Sequence, residues 1–244
     1  MNRTAALAAV LAPLCLNSAH ASPSDYVFLP SIGYGEREID FKFGTAKSNG
    51  EARDSAASLG FGWGATPWWF TELYLKYERE GSASTHFDAF EWENKFLLTE
   101  PGRYWVDVDL ITELEHPQRR AEGYEFRFGP LLQTAIGRLQ LNANLLFERH
   151  YDADISEHTQ MGYQMQIKYR WMREFEFGMQ GFGELGDWDH WSHYSEQTHR
   201  FGPAVFGKLP LGGRNAIRYN AAFLFGATPA TPDHTFRLQT EWEF

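Results

Sequence analysis

Apolar and polar residues alternate with a period of two along most of the chain. In the segment 69–78, Trp69, Leu73 and Leu75 occupy one set of alternate positions, and Glu72 and Lys76 occupy the other. Successive side chains of a β-strand point to opposite faces, so this pattern predicts a strand with one apolar and one polar face. The pattern recurs about twelve times down the chain, which predicts an all-β fold.

The predicted connections alternate between short and long. One set is short and contains turn residues, at 65–67, 99–102, 135–137, 172–173 and 210–213. The other set is longer and polar, at 44–55, 79–85, 115–122, 149–160, 186–198 and 226–234. Short turns at one end and longer loops at the other are typical of antiparallel barrels that cross a membrane, where the short turns are periplasmic.

Aromatic residues and the last strand agree with this interpretation. Large rings gather near the short connections, at Trp68, Trp69, Tyr104, Trp105, Trp171 and Trp242, and such rings favour the headgroup level of a bilayer. The amphipathic segment 236–244 ends on Phe244. In these features the chain resembles bacterial outer-membrane β-barrel proteins.

That resemblance implies a transmembrane, antiparallel, up-and-down barrel of about twelve strands in the outer membrane of a Gram-negative bacterium. It also implies contact with outer-membrane lipids, including lipopolysaccharide, and recognition of the last strand, ending in Phe244, by the barrel-assembly machinery. It does not imply a substrate.

The first residues have the layout of a cleavable secretory signal. Arg3 precedes an apolar run at 5–16, which is followed by the small-residue ending 19–21, so we predict a signal peptide at 1–21. We expect residues 22–33 to be a periplasmic lead-in and residues 34–244 to form one barrel domain. The single cysteine, Cys15, lies in the predicted signal, so no disulfide is expected.

Composition narrows the function classes. The formal net charge is −10, which makes nucleic acid an improbable partner because phosphate binding needs clustered lysine and arginine. No sequence pattern calls for a cofactor. A periplasmic soluble β-sandwich is the alternative fold, but it would have to bury very many large aromatic residues in one core.

The polar faces would line the interior of the barrel. The candidate lining residues are Asp40, Glu72, Lys76, Glu91, Glu93, Lys95, Asp107, Asp109, Arg127, Lys168, Arg170, Arg218 and Arg237. Acids outnumber bases on the inward faces as a whole, which favours a porin-like channel for small polar or cationic solutes. The competing interpretation is a lumen closed by ion pairs, in a non-conducting surface barrel whose His-rich outer loops bind a ligand or metal.

The histidines after residue 21 all fall in or beside the long connections. His190 and His193 lie in an acidic stretch and are candidate ligands for a transition metal, although their spacing matches no strict motif. His199 with Ser192 or Ser195 would be needed for a lipid hydrolase like outer-membrane phospholipase A, but no trio can be located by spacing. Enzymatic activity is therefore the less favoured hypothesis.

Two further sequence patterns, an acidic stretch with His190 and a run of alternating glycines, are only weak indications of a functional site. A protease site would need the acids at 187 and 189 with His190, and its support is equally weak. Gly60, Gly62 and Gly64 alternate with apolar residues, and phosphate-binding spacings are absent. We expect these glycines to make room for a bulky neighbour or to allow a bend.

Overall fold

The computed structural model describes residues 22–30, 32–155 and 158–244. The predicted signal peptide at 1–21 lies outside the described residues. Twelve long strands and one two-residue strand follow one another, with a single 3₁₀ turn at Arg120–Glu122. The first six strands are β1 (Arg37–Lys47), β2 (Asp54–Thr66), β3 (Trp69–Arg79), β4 (His86–Leu97), β5 (Asp107–Pro117) and β6 (Tyr124–Ile136). The remainder are β7 (Leu139–Tyr151), β8 (Gln160–Met172), β9 (Phe175–Asp187), β10 (His190–Trp191), β11 (Thr198–Gly212), β12 (Asn215–Gly226) and β13 (His234–Glu243).

The long strands form a closed ring. Each pairs antiparallel with its neighbours in the chain, and β13 pairs with β1, where Trp242 lies opposite Ile39. The short strand β10 pairs only with β9 and extends one hairpin. Closure pairs both edges of every long strand, as a bilayer requires because it offers no water to unpaired backbone groups. The predicted all-β, up-and-down barrel is confirmed.

The two ends of the barrel differ. Connections such as 67–68, 137–138 and 213–214 define a short-turn end, and those at 48–53 and 188–197 belong to the opposite, long-loop end. One short-turn connection is longer than predicted, because β5 begins at Asp107 instead of near residue 104. There the Asp107 carboxylate accepts a hydrogen bond from the backbone N–H of Gly102, at 2.6 Å, which holds a turn outside the strand.

The exterior is apolar and the interior is polar. Leu73 faces outward and is 62% exposed, whereas the preceding residue, Glu72, faces inward and is 2% exposed. This is the inverse of a soluble sandwich, and that alternative is wrong. A closed barrel with an apolar outer surface is the arrangement that a lipid bilayer stabilises. Among the described residues no helix has the length and apolar character needed to span a membrane.

Residues 22–30, here called the plug segment, do not extend away from the barrel. Tyr26, Val27 and Phe28 are buried against inward-facing side chains from opposite parts of the ring. Residues 22–33 are the predicted lead-in to the first strand. Of these, residues 22–30 lie inside the lumen, where apolar positions on the inward faces of the strands receive Tyr26, Val27 and Phe28.

Candidate functional site: the lumen and its plug segment

The plug segment begins with a turn at 22–25, and its side chains at 26–29 alternate between opposite walls of the lumen. Tyr26 and Phe28 pack in a cluster with Ile111, Leu131 and Leu146 of β5, β6 and β7. Val27 packs in a second cluster with the inward residues Phe182, Ala204, Phe206, Ala222 and Leu224 of β9, β11 and β12, against which Leu29 also lies. Two apolar patches inside a polar lumen therefore hold the segment, since burial removes these side chains from water.

Polar contacts fix the backbone of the plug segment. The Phe28 N–H donates to the Gln164 side-chain oxygen at 3.0 Å, and the Asn144 amide donates to the Phe28 carbonyl at 2.9 Å. The Tyr26 hydroxyl donates to Glu93 at 2.5 Å. Buried backbone groups need such partners, so the lumen satisfies the plug segment without forming a further strand.

Arg200 of β11 binds the start of the segment. Its guanidinium donates to the Ser22 carbonyl at 2.9 Å and to the Asp25 carboxylate at 3.1 Å. Arg200 is 5% exposed. A buried arginine of this kind needs its acceptors, because removing one partner leaves an uncompensated charge.

Gly44 marks the closest approach between the plug segment and the barrel. A Cβ atom at Gly44 would overlap the carbonyl group of Pro23. The residue lies on the inward face of β1 opposite Arg237 of β13. Any larger residue at position 44 would therefore collide with the plug segment, which matters for the experiments below.

The inward side chains of β1 to β7 include an ion-pair network, here called the ionic wall. Its carboxylates are Asp40, Glu72, Glu91, Glu93, Glu113, Glu115, Glu125 and Glu148, and its bases are Lys42, Lys76, Lys95 and Arg127. Arg127 joins Glu113 at 3.0 Å, Glu125 at 3.0 Å and Glu148 at 2.7 Å. Acids exceed bases, and some bases are therefore shared between carboxylates.

The other pairs of the ionic wall are equally close. Lys76 contacts Glu91 at 3.0 Å and also pairs with Glu115. Lys95 lies 2.7 Å from Glu93. The exception is Glu72, which is almost fully buried and for which the described residues offer neither a hydrogen-bond donor nor a base within 4.0 Å.

The inward positions of β6 to β9 include a group of uncharged amides, here called the amide wall. Its members on β6 to β9 are Gln133, Gln140, Asn142, Asn144, Gln164, Gln166 and Gln180. They bond to one another: Gln180 donates to Gln166 at 2.7 Å, and Asn144 donates to Gln164 at 3.0 Å. These groups carry no net charge, and their bonds do not depend on protonation in the physiological range.

A cavity of about 540 Å³ lies between the plug segment and the short-turn end. Tyr26, Val27 and Leu29 line it on one side, and inward residues of the short-turn half of the barrel line the rest, including Glu38 and Lys168. Its lining includes none of the ion pairs around Arg127. Lys95 of the ionic wall is among the lining residues, so the plug segment separates the cavity from the ion pairs around Arg127 in the long-loop half and not from the whole ionic wall.

The thirteen predicted lining residues all lie on the inward faces of their strands. Asp40, Glu72, Glu91, Glu93, Asp109 and Arg237 are buried, and Lys76, Lys95, Arg127, Lys168 and Arg218 form ion pairs with inward-facing carboxylates. Asp107 holds the 102 turn, and Arg170 is exposed beside the cavity at the short-turn end. Their role in permeation stays a prediction.

The candidate metal ligands His190 and His193 and the candidate catalytic base His199 have different surroundings in the structure. His190 and His193 are exposed, and neither belongs to a group of three metal-ligand side chains in the part of the chain that the structure describes. Metal binding there stays a prediction. The ring nitrogens of His199 contact the Tyr163 hydroxyl and the Gln197 side chain, each at 2.9 Å. A serine next to His199 is not found among the described residues.

Sequence reasoning missed the residues that hold the plug segment. Ile111, Leu131 and Phe182 interrupt the polar set of their strands, and the apolar run 26–29 is separated from the end of the predicted signal by four residues. These two features of the sequence are the signals from which a segment buried in the lumen could have been inferred. Gly60 and Gly62 do make room for bulky neighbours, since a Cβ at Gly60 would collide with the Tyr74 ring and one at Gly62 would contact Phe70.

Comparisons with known proteins agree with this geometry. The chain matches no protein-family model and no curated protein sequence. Solved structures are similar in fold: an outer-membrane channel from Pseudomonas putida F1 has a TM-score of 0.60 at 11% identity, covering 92% of this chain and 99% of that one.

Two porins give a similar result. The NanC porin has a TM-score of 0.56 at 10% identity, covering 84% of this chain and 98% of the porin. The KdgM porin has a TM-score of 0.55 at 8% identity, covering 85% and 99%. The chain has the fold of bacterial outer-membrane β-barrel proteins. With its apolar exterior, this fold places the protein in the outer membrane.

Proposed function

We propose that this protein is an outer-membrane channel for small polar solutes, closed at rest by the plug segment. The observation that carries the proposal is a polar lumen obstructed by a segment bound without covalent links. Its contacts with the lumen wall are non-covalent, so the segment can leave the lumen while the ring of strands stays intact.

The lining supports uncharged or cationic solutes. The ionic wall holds more carboxylates than bases, and rings of carboxylates favour cations in channels. The cavity at the short-turn end is lined by amides and by charges of both signs. A solute crossing the barrel would meet hydrogen-bonding groups throughout, and a cation would be favoured at the level of Glu93 and Glu113.

A non-conducting barrel is the second candidate, because ion pairs and the plug segment both occupy the lumen. Arg127 with its three carboxylates crosses from β5 to β7 and narrows the long-loop half. In that case the outer loops would carry the function. Contacts with lipopolysaccharide and with the assembly machinery through Phe244 remain predictions under either candidate.

Planar-bilayer recording distinguishes the two candidates. We would compare the wild type with a variant lacking residues 22–30, under a potassium chloride gradient. We expect small or rare openings from the wild type, and from the deletion variant larger, sustained steps with a reversal potential on the cation side.

A second variant keeps every plug residue. Gly44→Val places a side chain where the Pro23 carbonyl now lies, and we expect it to raise the open fraction in the same direction as the deletion. Heat-modifiable migration on a gel would confirm that both variants are folded. Folded variants that both stay silent would overturn the channel and favour the non-conducting barrel.

A further inference from the structure

The outer surface carries a polar row in a place where lipid-facing residues should be apolar. Thr71 of β3 lies opposite Asn94 of β4, and Asn94 lies opposite Thr112 of β5. Directly opposite residues of paired strands point to the same face, and Trp92 and Phe96 flank Asn94 on that face. Polar groups facing hydrocarbon cost free energy unless they are bonded, so three adjacent ones call for an explanation.

Aromatic residues surround this row and form a groove. A cavity of about 430 Å³ is lined by Trp68, Trp69, Trp92, Phe96, Leu114 and Phe126, with Asn94 and Thr112 in its wall. Trp69 and Phe96 are stacked, with ring centroids 6.5 Å apart and planes at 11°. Such flat, packed rings form a firm surface against which an apolar chain can lie.

The groove offers hydrogen-bond donors that the protein leaves unused. The Trp69 indole N–H donates to the Asn94 side-chain oxygen at 3.0 Å, and the Trp92 indole N–H donates to Thr71 at 2.8 Å. The Asn94 amide nitrogen and the Thr112 hydroxyl donate to no other described residue. Asn94 is 7% exposed, so its free donors face the groove rather than open solvent.

The groove has no charge of its own. Glu113, which contributes to its lining, belongs to an inward position and pairs with Arg127 at 3.0 Å. A matching ligand therefore presents an uncharged hydrogen-bond acceptor beside an apolar chain. Asn94 is three residues from the end of β4, which at the usual rise and tilt of barrel strands puts it about 8 Å from the short-turn end.

We propose that this groove binds one glycerophospholipid of the periplasmic leaflet, with an ester carbonyl accepting from Asn94 and Thr112 and an acyl chain lying along the tryptophans. Ester groups are the uncharged acceptors found at the depth of the aromatic belt. The site is independent of the lumen, and it does not require that the barrel conduct.

Native mass spectrometry tests the proposal on the whole chain in detergent, with palmitoyl-oleoyl-phosphatidylethanolamine as the added lipid. We expect the wild type to retain one lipid more than Asn94→Leu, and to bind it at least tenfold more tightly. Thr240→Val is the matched control: Thr240 lies opposite the outward-facing Phe41, four strands away from β4 in the ring, and its loss should leave retention unchanged.

Equal retention by the wild type and by folded Asn94→Leu would overturn the proposal. If Asn94→Leu does not fold, Thr112→Val replaces it and must weaken binding at least threefold. The same spectra report oligomers. A dimer that Asn94→Leu abolishes, without a change in lipid retention, would assign the groove to a second copy of the chain and would also overturn the proposal.

Discussion

The ionic wall and the amide wall line one lumen but hold their side chains by different means. In the ionic wall, Arg127 serves three carboxylates at once, and each charge depends on the others for compensation. In the amide wall, Asn144 and Gln164 bond to each other and to the plug backbone as neutral groups. The first wall is a coupled electrostatic system, and the second is a set of separable hydrogen bonds.

The two walls hold the plug segment through different kinds of contact. The plug segment bonds to the ionic wall through the Tyr26 hydroxyl, and to the amide wall through both backbone groups of Phe28. Changes in salt or protonation act on charges and leave amides unaffected. We therefore expect changes in salt or pH to weaken the contacts of the ionic wall more than those of the amide wall.

The largest effect is expected from Arg127→Met. Removal of this base, whose side chain is 21% exposed inside the lumen, leaves Glu113, Glu125 and Glu148 close together without their shared partner, and breaking a buried ion pair costs about 3–5 kcal/mol. The free energy of unfolding, measured by urea titration of the refolded barrel in detergent, should fall by that amount. Arg127→Lys should recover part of it. A loss below about 1 kcal/mol would show that the three carboxylates are already neutral.

An intermediate effect is expected from Asn144→Leu in the amide wall. The change removes hydrogen bonds to the Phe28 carbonyl and to Gln164, which costs about 1–3 kcal/mol where a buried acceptor is left without a donor. Because amides do not titrate, the loss in unfolding free energy should be the same at pH 5 and pH 8. A strong dependence on pH would mean that the two walls are coupled, contrary to their separation in the structure.

The smallest effect is expected where the same kind of ion pair is exposed. Arg119 in an outer loop contacts Glu78 at 2.9 Å and Glu122 at 2.8 Å, with its side chain 46% exposed. Arg119→Ala should change the unfolding free energy by less than about 1 kcal/mol, since exposed pairs contribute little. A loss comparable with that of Arg127→Met would remove the distinction between buried and exposed pairs.

A titration sharpens the same comparison. Burial raises the pKa of Glu122, and the Arg119 guanidinium offsets part of that rise. Arg119→Ala should therefore raise the pKa of Glu122 further, which carboxyl-carbon NMR of a selectively labelled sample would detect. A folded-state pKa above the ordinary value means that ionised Glu122 destabilises the fold as pH rises through the carboxylate range. An unchanged pKa would contradict the contact.

Much of the fold was predictable from the chain because alternation is a local property. Each strand such as 69–79 carries its own apolar and polar positions, so strand number and facing could be read without tertiary information. The predicted twelve strands match the twelve long strands of the ring. In the same way, the lengths of the connections predicted which end of the barrel carries the short turns and which carries the long loops.

The plug segment could not be predicted by this reasoning. Its position depends on contacts between residues far apart in the chain, such as Phe28 with Asn144 and Arg200 with Asp25. Ile111 on a polar face appears as an isolated exception until Phe28 is placed against it. Partnerships within the ionic wall were hidden for the same reason, since alternation gives the face of a residue and not its neighbour.

The central claim is that residues 22–30 occupy the lumen, and the reactivity of one thiol tests it most directly. Val27 is 4% exposed and contacts the apolar residues of β9, β11 and β12. In a Cys15→Ser background we would introduce Val27→Cys, with Ser82→Cys in an exposed outer loop as the reference, and measure labelling by a water-soluble maleimide. The structure predicts labelling of Cys at position 27 at least a hundredfold slower than at position 82, by analogy with a buried group protected by about 3 kcal/mol, and acceleration when Gly44→Val is added. Equal rates at the two positions in the folded barrel would contradict the plug.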